Sequence, residues 1–388
     1  MFEMTTDQLN EMGAFKTTVE IKQQPELWLD TLNIYKENLE AIEAFLADAR
    51  AMGEGRLSVV FTGAGTSDYV GDTCAPTCVT RATPRSTTLS RSPRPTSCPL
   101  PRDFLNPDEP TVVVSFARSG NSPESLAAVQ VAKTFVKNVK FINITCAPEG
   151  RLAVESEGRR RPAHAAHPAR QRQGLRHDWL LQLHDAALHP HLRHRLPRAE
   201  DRVGRGHGQP LGEDVIAREG EIAEFLSCDF NRVTYLGSGS FGGLAQEAQL
   251  KILELAHGLV ATSYDTSMGY RHGPKSFVDD KTLVFVFVNN DEYTRQYDLD
   301  ILNEINGDQI AAKTIAIQQD GATKFDGASF TLAGEALPEA YLALPFVMVG
   351  QVVSLLNSVR VGNTPDTPSP SGTVNRVVKG VTIHPFEA

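Results

Sequence analysis

VTYLGSGSFGGLAQEAQLKILELAHGLVATSYDTSMGYRHGP runs from Val233 to Pro274, and most of the architecture follows from it. It opens with a short apolar run, Val233–Leu236, of strand type. Gly237-Ser-Gly-Ser-Phe-Gly-Gly follows, a loop that leaves backbone N–H groups unblocked. Leu244, Ala248, Leu250, Leu253 and Leu255 then supply the apolar stripe of a helix. A strand, a glycine-rich turn and a helix N-terminus in that order predict an anion site. On the helix, Lys251 and Glu254 are three residues apart and share a face. A second strand, Leu259–Ser263, leads to His272-Gly-Pro. Carboxylate, ammonium and imidazole within one βαβ unit point to proton transfer on an anionic substrate. Each group also has a plainer reading: a solvated helical face for Lys251 and Glu254, a backbone-satisfied turn for His272.

The same order of elements recurs on the N-terminal side. Residues 26–50 have the period of an amphipathic helix. Leu57–Thr62 is a buried strand, followed by Gly63-Ala-Gly-Thr-Ser. Thr111–Phe116 is another, followed by Arg118-Ser-Gly-Asn-Ser-Pro-Glu-Ser and a helix to about Val136. There Ser122 is placed to cap the helix and Pro123 to begin it. Val139–Thr145 is a third strand. Beyond the central stretch, Thr282–Val288 and residues 313–318 read as strands, and residues 293–306 and 339–358 as helices. The simplest architecture is α/β, with two similar halves, each a parallel sheet with flanking crossover helices. The loops at Gly65, Thr66 and Ser67 and at Arg118, Ser119, Asn121 and Ser122 stand at equivalent places, where hydroxyls, N–H groups and a helix N-terminus could hold a phosphate. No Walker motif is present, which argues against nucleotide triphosphates.

Composition sets the outer limits. With 388 residues there is room for two domains, and a net charge of -9 argues against a nucleic-acid partner. No apolar run approaches the roughly 20 residues of a membrane span, and the N-terminus has no signal-peptide core. The five cysteines show no metal-type pairing apart from Cys74-x₃-Cys78. A soluble cytoplasmic protein with reduced thiols, without metal and without membrane, is the expectation.

Two stretches break the pattern. Residues 74–102 are rich in Pro, Arg, Ser and Thr without period. Residues 159–210 hold eight of the eleven histidines among many arginines. A basic RNA-binding insert or a His-rich metal segment are the functional readings. A shift of reading frame is the third. Codons compatible with residues 171–186 permit, one base over, NDKGFAMTGSFSSMML. Those for residues 77–98 permit LRDARHPAFDDAFAVATTDIV, which ends as a plausible strand. Taken as written, the first half is expected to lack one or two strands and part of its core.

Together the motifs resemble the sugar isomerase (SIS) domain superfamily, and specifically AgaS-type proteins of amino-sugar catabolism. The carrying residues are Gly63-Ala-Gly-Thr-Ser-Asp, Ser115-Phe-Ala-Arg-Ser-Gly-Asn-Ser-Pro-Glu-Ser, Leu236-Gly-Ser-Gly, Glu247-Ala-Gln-Leu-Lys-Ile-Leu-Glu-Leu, Tyr270-Arg-His-Gly-Pro and Pro368-Ser-Pro-Ser-Gly-Thr-Val-Asn-Arg. The shifted frames are similar to the same family. The resemblance implies two flavodoxin-like SIS domains, residues 51–212 and 213–364. A helical segment, 1–50, precedes them, and a C-terminal tail, 365–388, lies over the active site.

It also implies a deaminating aldose–ketose isomerase that converts galactosamine 6-phosphate to tagatose 6-phosphate and ammonia. In that reading Gly65, Thr66, Ser67, Arg118, Ser119, Asn121 and Ser122 hold the phosphate. Glu254 carries a proton between C1 and C2, and Lys251 positions it. His272 assists ring opening from a neighbouring subunit, so a homo-oligomer, at least a dimer, is expected. Lys379 closes over the sugar. No cofactor is required, because the carbonyl and its imine supply the electron sink. Ala117 and Arg118 depart from the serine and glutamine of the isomerase half of glucosamine-6-phosphate synthase, a more distant relative. No nucleophilic cysteine lies at the N-terminus, which excludes glutamine-dependent synthesis. Isomerisation without deamination, deamination of glucosamine 6-phosphate, and a non-catalytic phosphosugar sensor are the alternatives.

Overall fold

The structure is a computed structural model that describes residues 1–53, 57–81, 87–91, 100–157, 164–166, 208–320, 324–372 and 380–387. The chain divides into two units. One takes Met1–Trp28 and the described residues from Gly208 to Ser371. The other takes the described residues from Leu29 to Ala166 and the C-terminal residues from Gly372.

In the second of these, β1 (Leu57–Thr62), β2 (Thr87–Arg91), β3 (Thr111–Ala117), β4 (Val139–Thr145) and β5 (His164–Ala166) form an all-parallel sheet ordered β2-β1-β3-β4-β5. The central strands are continuous apolar runs because helices cover both faces of a parallel sheet; every residue of β1 and β3 is buried. Strands β2 and β5 arise within the two aberrant stretches. The expectation of missing strands is therefore not met, although β5 is only 3 residues long. Residues 82–86, 92–99, 159–163 and 167–207 of those stretches, and likewise Lys379, lie outside the described residues.

The other unit is built the same way. With β6 (Arg232–Gly237), β7 (Ala261–Asp265), β8 (Thr282–Phe287), β9 (Lys313–Gln319) and β10 (Ser329–Leu332), the order is β10-β9-β8-β6-β7, again all parallel. Renumbered within its own half, each sheet runs 2-1-3-4-5, the doubly wound order with its switch point between first and third strands. The expected strand at Leu259–Ser263 is displaced by two residues. His257 and Gly258 adopt positive φ and carry the chain out of the preceding helix, so Leu259 falls in the turn.

The helices of the first-sheet unit that matter here are α4 (Thr66–Arg81), α6 (Pro123–Phe135) and α7 (Arg151–Glu157). In the other, α10 (Ser240–Leu255), α11 (Glu292–Asp308) and α12 (Glu339–Arg360) flank the sheet. Tyr235, Phe285 and Phe287 stack on one face and meet Phe241 of α10 and Phe346 of α12, with ring centroids 5.2–6.4 Å apart. Leu236, Val284 and Val286 point to the opposite face and pack with Leu299, Ile301, Leu302 and Ile305 of α11. Contrary to the expectation that no apolar run approaches a membrane span, helix α12 has 22 residues and is long and apolar enough to cross one, yet 89% of its most apolar 18 residues are buried inside the protein. It is the central core helix. Gly350 on it lets Ala248 of α10 approach closely. The N-terminal helix α2 (Phe15–Lys22) covers this pair, with Asp366 accepting from the Lys16 and Thr17 N–H groups.

Candidate active site

Both glycine loops are built alike. A Cβ added at Gly63 would stand 2.4 Å from the Ser67 carbonyl oxygen, and one at Gly237 would stand 2.4 Å from the Phe241 carbonyl oxygen. Two residues on, Gly65 (φ +62) and Gly239 (φ +59) turn the chain into the helix through a conformation that favours glycine. In both halves, then, G-x-G brings a strand end onto the first turn of the next helix.

In the first sheet this loop ends in Thr66 and Ser67, buried at the start of α4. Beside it, β3 feeds the loop Arg118–Ser122, since β1 and β3 are neighbours with Thr62 opposite Ser115. The structure thus brings Gly65, Thr66, Ser67, Arg118, Ser119, Asn121 and Ser122 to one edge of one sheet, at its switch point. Ser122 takes the N-cap place with Pro123 behind it, but its side chain makes no cap bond. Among the described residues no side chain caps the first-turn N–H groups of α6. Asn121 is partly committed: its Oδ1 accepts from the Arg151 N–H at 3.1 Å, tying the loop to α7. Arg118 and Ser119 are half-buried.

The second sheet's switch point is different, and here the expected anion site is corrected. The carboxylate of Glu339 already sits there. Its Oε2 accepts from the Ser240 N–H at 3.3 Å and its Oε1 from Asn289 Nδ2 at 2.6 Å. Asp298 closes the rest. It accepts from Ser238 Oγ at 2.6 Å, from Ser267 Oγ, and from the Asn289 N–H at 3.0 Å. Burial pushes the Asp298 carboxyl up to about 6. Two side chains of the protein fill the place where the first sheet presents unblocked donors.

Lys251 and Glu254 lie near the other end of α10. Lys251 is 4% exposed, and its Nζ is 2.6 Å from Glu254 Oε2 and 3.8 Å from Glu247 Oε1. Glu254 is one-third exposed. The pair is therefore not a solvated face: the ammonium is buried and the carboxylate looks outward from it. Fourteen residues separate Glu254 from Ser240, about 21 Å along the helix, so Glu254 is remote from the filled switch point.

His272 follows β7 in an irregular crossover, residues 266–278, that includes short 3-10 turns at Gly269–Arg271 and Pro274–Phe277. Tyr270 anchors it: its ring joins the core on the α11 face and its hydroxyl lies 3.2 Å from Thr234 Oγ1. His272 itself is exposed, and its side chain has no hydrogen-bond partner among the described residues. Helix α10 packs on the opposite face with Phe241 and α12. The structure does not bring Glu254 and His272 together within this unit, because the sheet stands between them.

No family model matches the chain. It is 36% identical to D-galactosamine-6-phosphate deaminase AgaS of Escherichia coli over 379 residues, 96% of each chain. The chain belongs to the AgaS family. It is also 33% identical over 385 residues to D-galactosamine-6-phosphate deaminase AgaS of a Shewanella strain, covering 99% of this chain and 95% of that protein. Among solved structures, tagatose-6-phosphate ketose/aldose isomerase from Escherichia coli superposes with a TM-score of 0.80 at 33% identity, over 96% of this chain and 97% of that one. The AgaS family membership accounts for the two parallel sheets. Sequence reasoning missed Glu339 and Asp298. Asp298 left a signal, since Arg295, Asp298, Leu302 and Ile305 follow the 3-4-3 spacing of the buried stripe of α11.

Proposed function

We propose that the chain is a deaminating aldose–ketose isomerase acting on galactosamine 6-phosphate. The observation that carries this is the Lys251–Glu254 pair, a buried cation holding a carboxylate whose other side faces out, in a chain related to AgaS deaminases. The loops at 65–67 and 118–122 bind the phosphate through N–H and hydroxyl donors and Arg118. His272 moves the proton needed to open the sugar ring. Glu254 takes the C2 proton of the open-chain amino aldose and returns it at C1. The electron pair shifts from the C2–H bond towards the carbonyl and then to C1, leaving an imine at C2. Water hydrolyses it to the ketose and ammonia. Lys251 keeps Glu254 in register, and Lys379 closes over the sugar.

Because Glu254 and His272 cover opposite faces of one sheet, His272 serves the site of a second subunit, and the enzyme is at least a dimer. The net charge of -9 supports an enzyme without a nucleic-acid partner. The name of the Escherichia coli solved structure favours a second reading, interconversion of tagatose and galactose phosphates without deamination. Ammonia release from galactosamine 6-phosphate separates the two. Interconversion of the ketose and aldose phosphates without ammonia would select the second.

A further inference from the structure

Residues flanking His272 are pinned along α11 from Asp298 to Asp308. Before it, Ser267 Oγ donates to Asp298. Arg271, the adjacent residue, donates from Nε to Glu304 Oε2 at 2.7 Å. Lys275, three residues after it, donates to Glu304 Oε1 at 2.5 Å and pairs with Asp308 Oδ2 at 2.5 Å. Glu304 thus spends one oxygen on each side of His272. The imidazole between those two anchors is exposed and has no partner of its own among the described residues. Gly273 leaves the turn with φ +121, and Ser276 closes it onto the Gly273 carbonyl.

We propose that Glu304 is the positioning residue for His272, with Asp308 and Asp298 holding the two ends of the same crossover. This rests on the reading of His272 as the ring-opening group. Exposed ion pairs contribute little to stability, and Glu304 and Lys275 are both partly exposed. A carboxylate shared between two cations astride one histidine therefore matters through geometry. It fixes a crossover whose regular structure is limited to two short 3-10 turns. Holding an acid–base group within a fraction of an ångström is worth up to about 100-fold in rate.

The test compares galactosamine 6-phosphate turnover by the full-length wild type, Glu304→Gln, His272→Ala and the double variant. The His272 imidazole resonance is followed in ¹³C-histidine-labelled protein, assigned by its loss in His272→Ala. Glu304→Gln is expected to lower kcat about 10- to 100-fold, leave KM within about twofold, and shift or broaden the His272 signal. It should cause no further loss in the His272→Ala background. Unchanged kcat in Glu304→Gln, or the same fractional loss with and without His272, would overturn the proposal. If His272→Ala is as active as wild type, the assignment of His272 fails and the catalytic role of Glu304 with it. That case is recognised by a moved resonance without a change in rate. Should Glu304→Gln fold poorly, Arg271→Gln combined with Lys275→Gln removes the same bonds from the other side and must give the same losses.

Discussion

Asp298 shows how one buried residue can govern a sheet edge. It joins the loops after β6, β7 and β8 through Ser238, Ser267 and Asn289. Its carboxyl titrates near 6 because burial disfavours the charge. The sign follows from linkage. Between the ordinary aspartate value, about 3.9, and about 6, the native state binds the proton more tightly than the unfolded chain, so stability falls as pH rises through that window. Asp298→Asn lacks this contribution. Urea midpoints at pH 4.5 and 7 should show the variant losing ground to wild type at the lower pH and recovering it at the higher. A difference between the two proteins that does not vary with pH would mean that Asp298 does not titrate there. Glu339 at the neighbouring helix start was invisible in the sequence, because no local period relates residue 339 to residue 240. Lys251 and Glu254 were legible as a pair, but their burial was not. That depends on α2 and α12 covering α10.

At the level of elements, the central strands could be read directly, since both faces of β1, β3, β6 and β8 are covered and the runs are continuous. The edges could not. In β10 only alternate residues are buried, and β2 and β5 come from stretches without hydrophobic period. The crossover carrying His272 has no helical period either, and its course is set by Tyr270 and the carboxylates of α11. Helix packing gives a clean test. A Cβ on Gly350 would stand 3.0 Å from the Ala248 Cβ, so a longer side chain must push α12 away from α10. Gly350→Leu is expected to cost about 1–3 kcal/mol, read from denaturant midpoints with an unchanged slope. A variant as stable as wild type would show that the helices part freely.

For the whole molecule, the repeated 2-1-3-4-5 sheet order and the matching G-x-G loops make the two halves variations on one unit. Only the first keeps its switch point open for a ligand. The second fills it with Glu339, and the chemistry proposed for that half falls to α10 and the His272 crossover. The stretches at 74–102 and 159–210 fit neither half by composition. Resequencing the gene is expected to find one-base shifts that restore apolar, family-like sequence there; an uninterrupted frame encoding the chain as written would refute that.

Proton transfer by Glu254 is the step on which the proposed deaminating isomerisation turns. Its most direct measurement is ammonia release from galactosamine 6-phosphate by wild type and Glu254→Gln, alongside binding of the same sugar phosphate. Wild type should release ammonia with formation of the ketose phosphate. Glu254→Gln should lose turnover by about 10²- to 10⁴-fold while binding stays within a few-fold. Release by Glu254→Gln at the wild-type rate, or no ammonia from wild type, would contradict it.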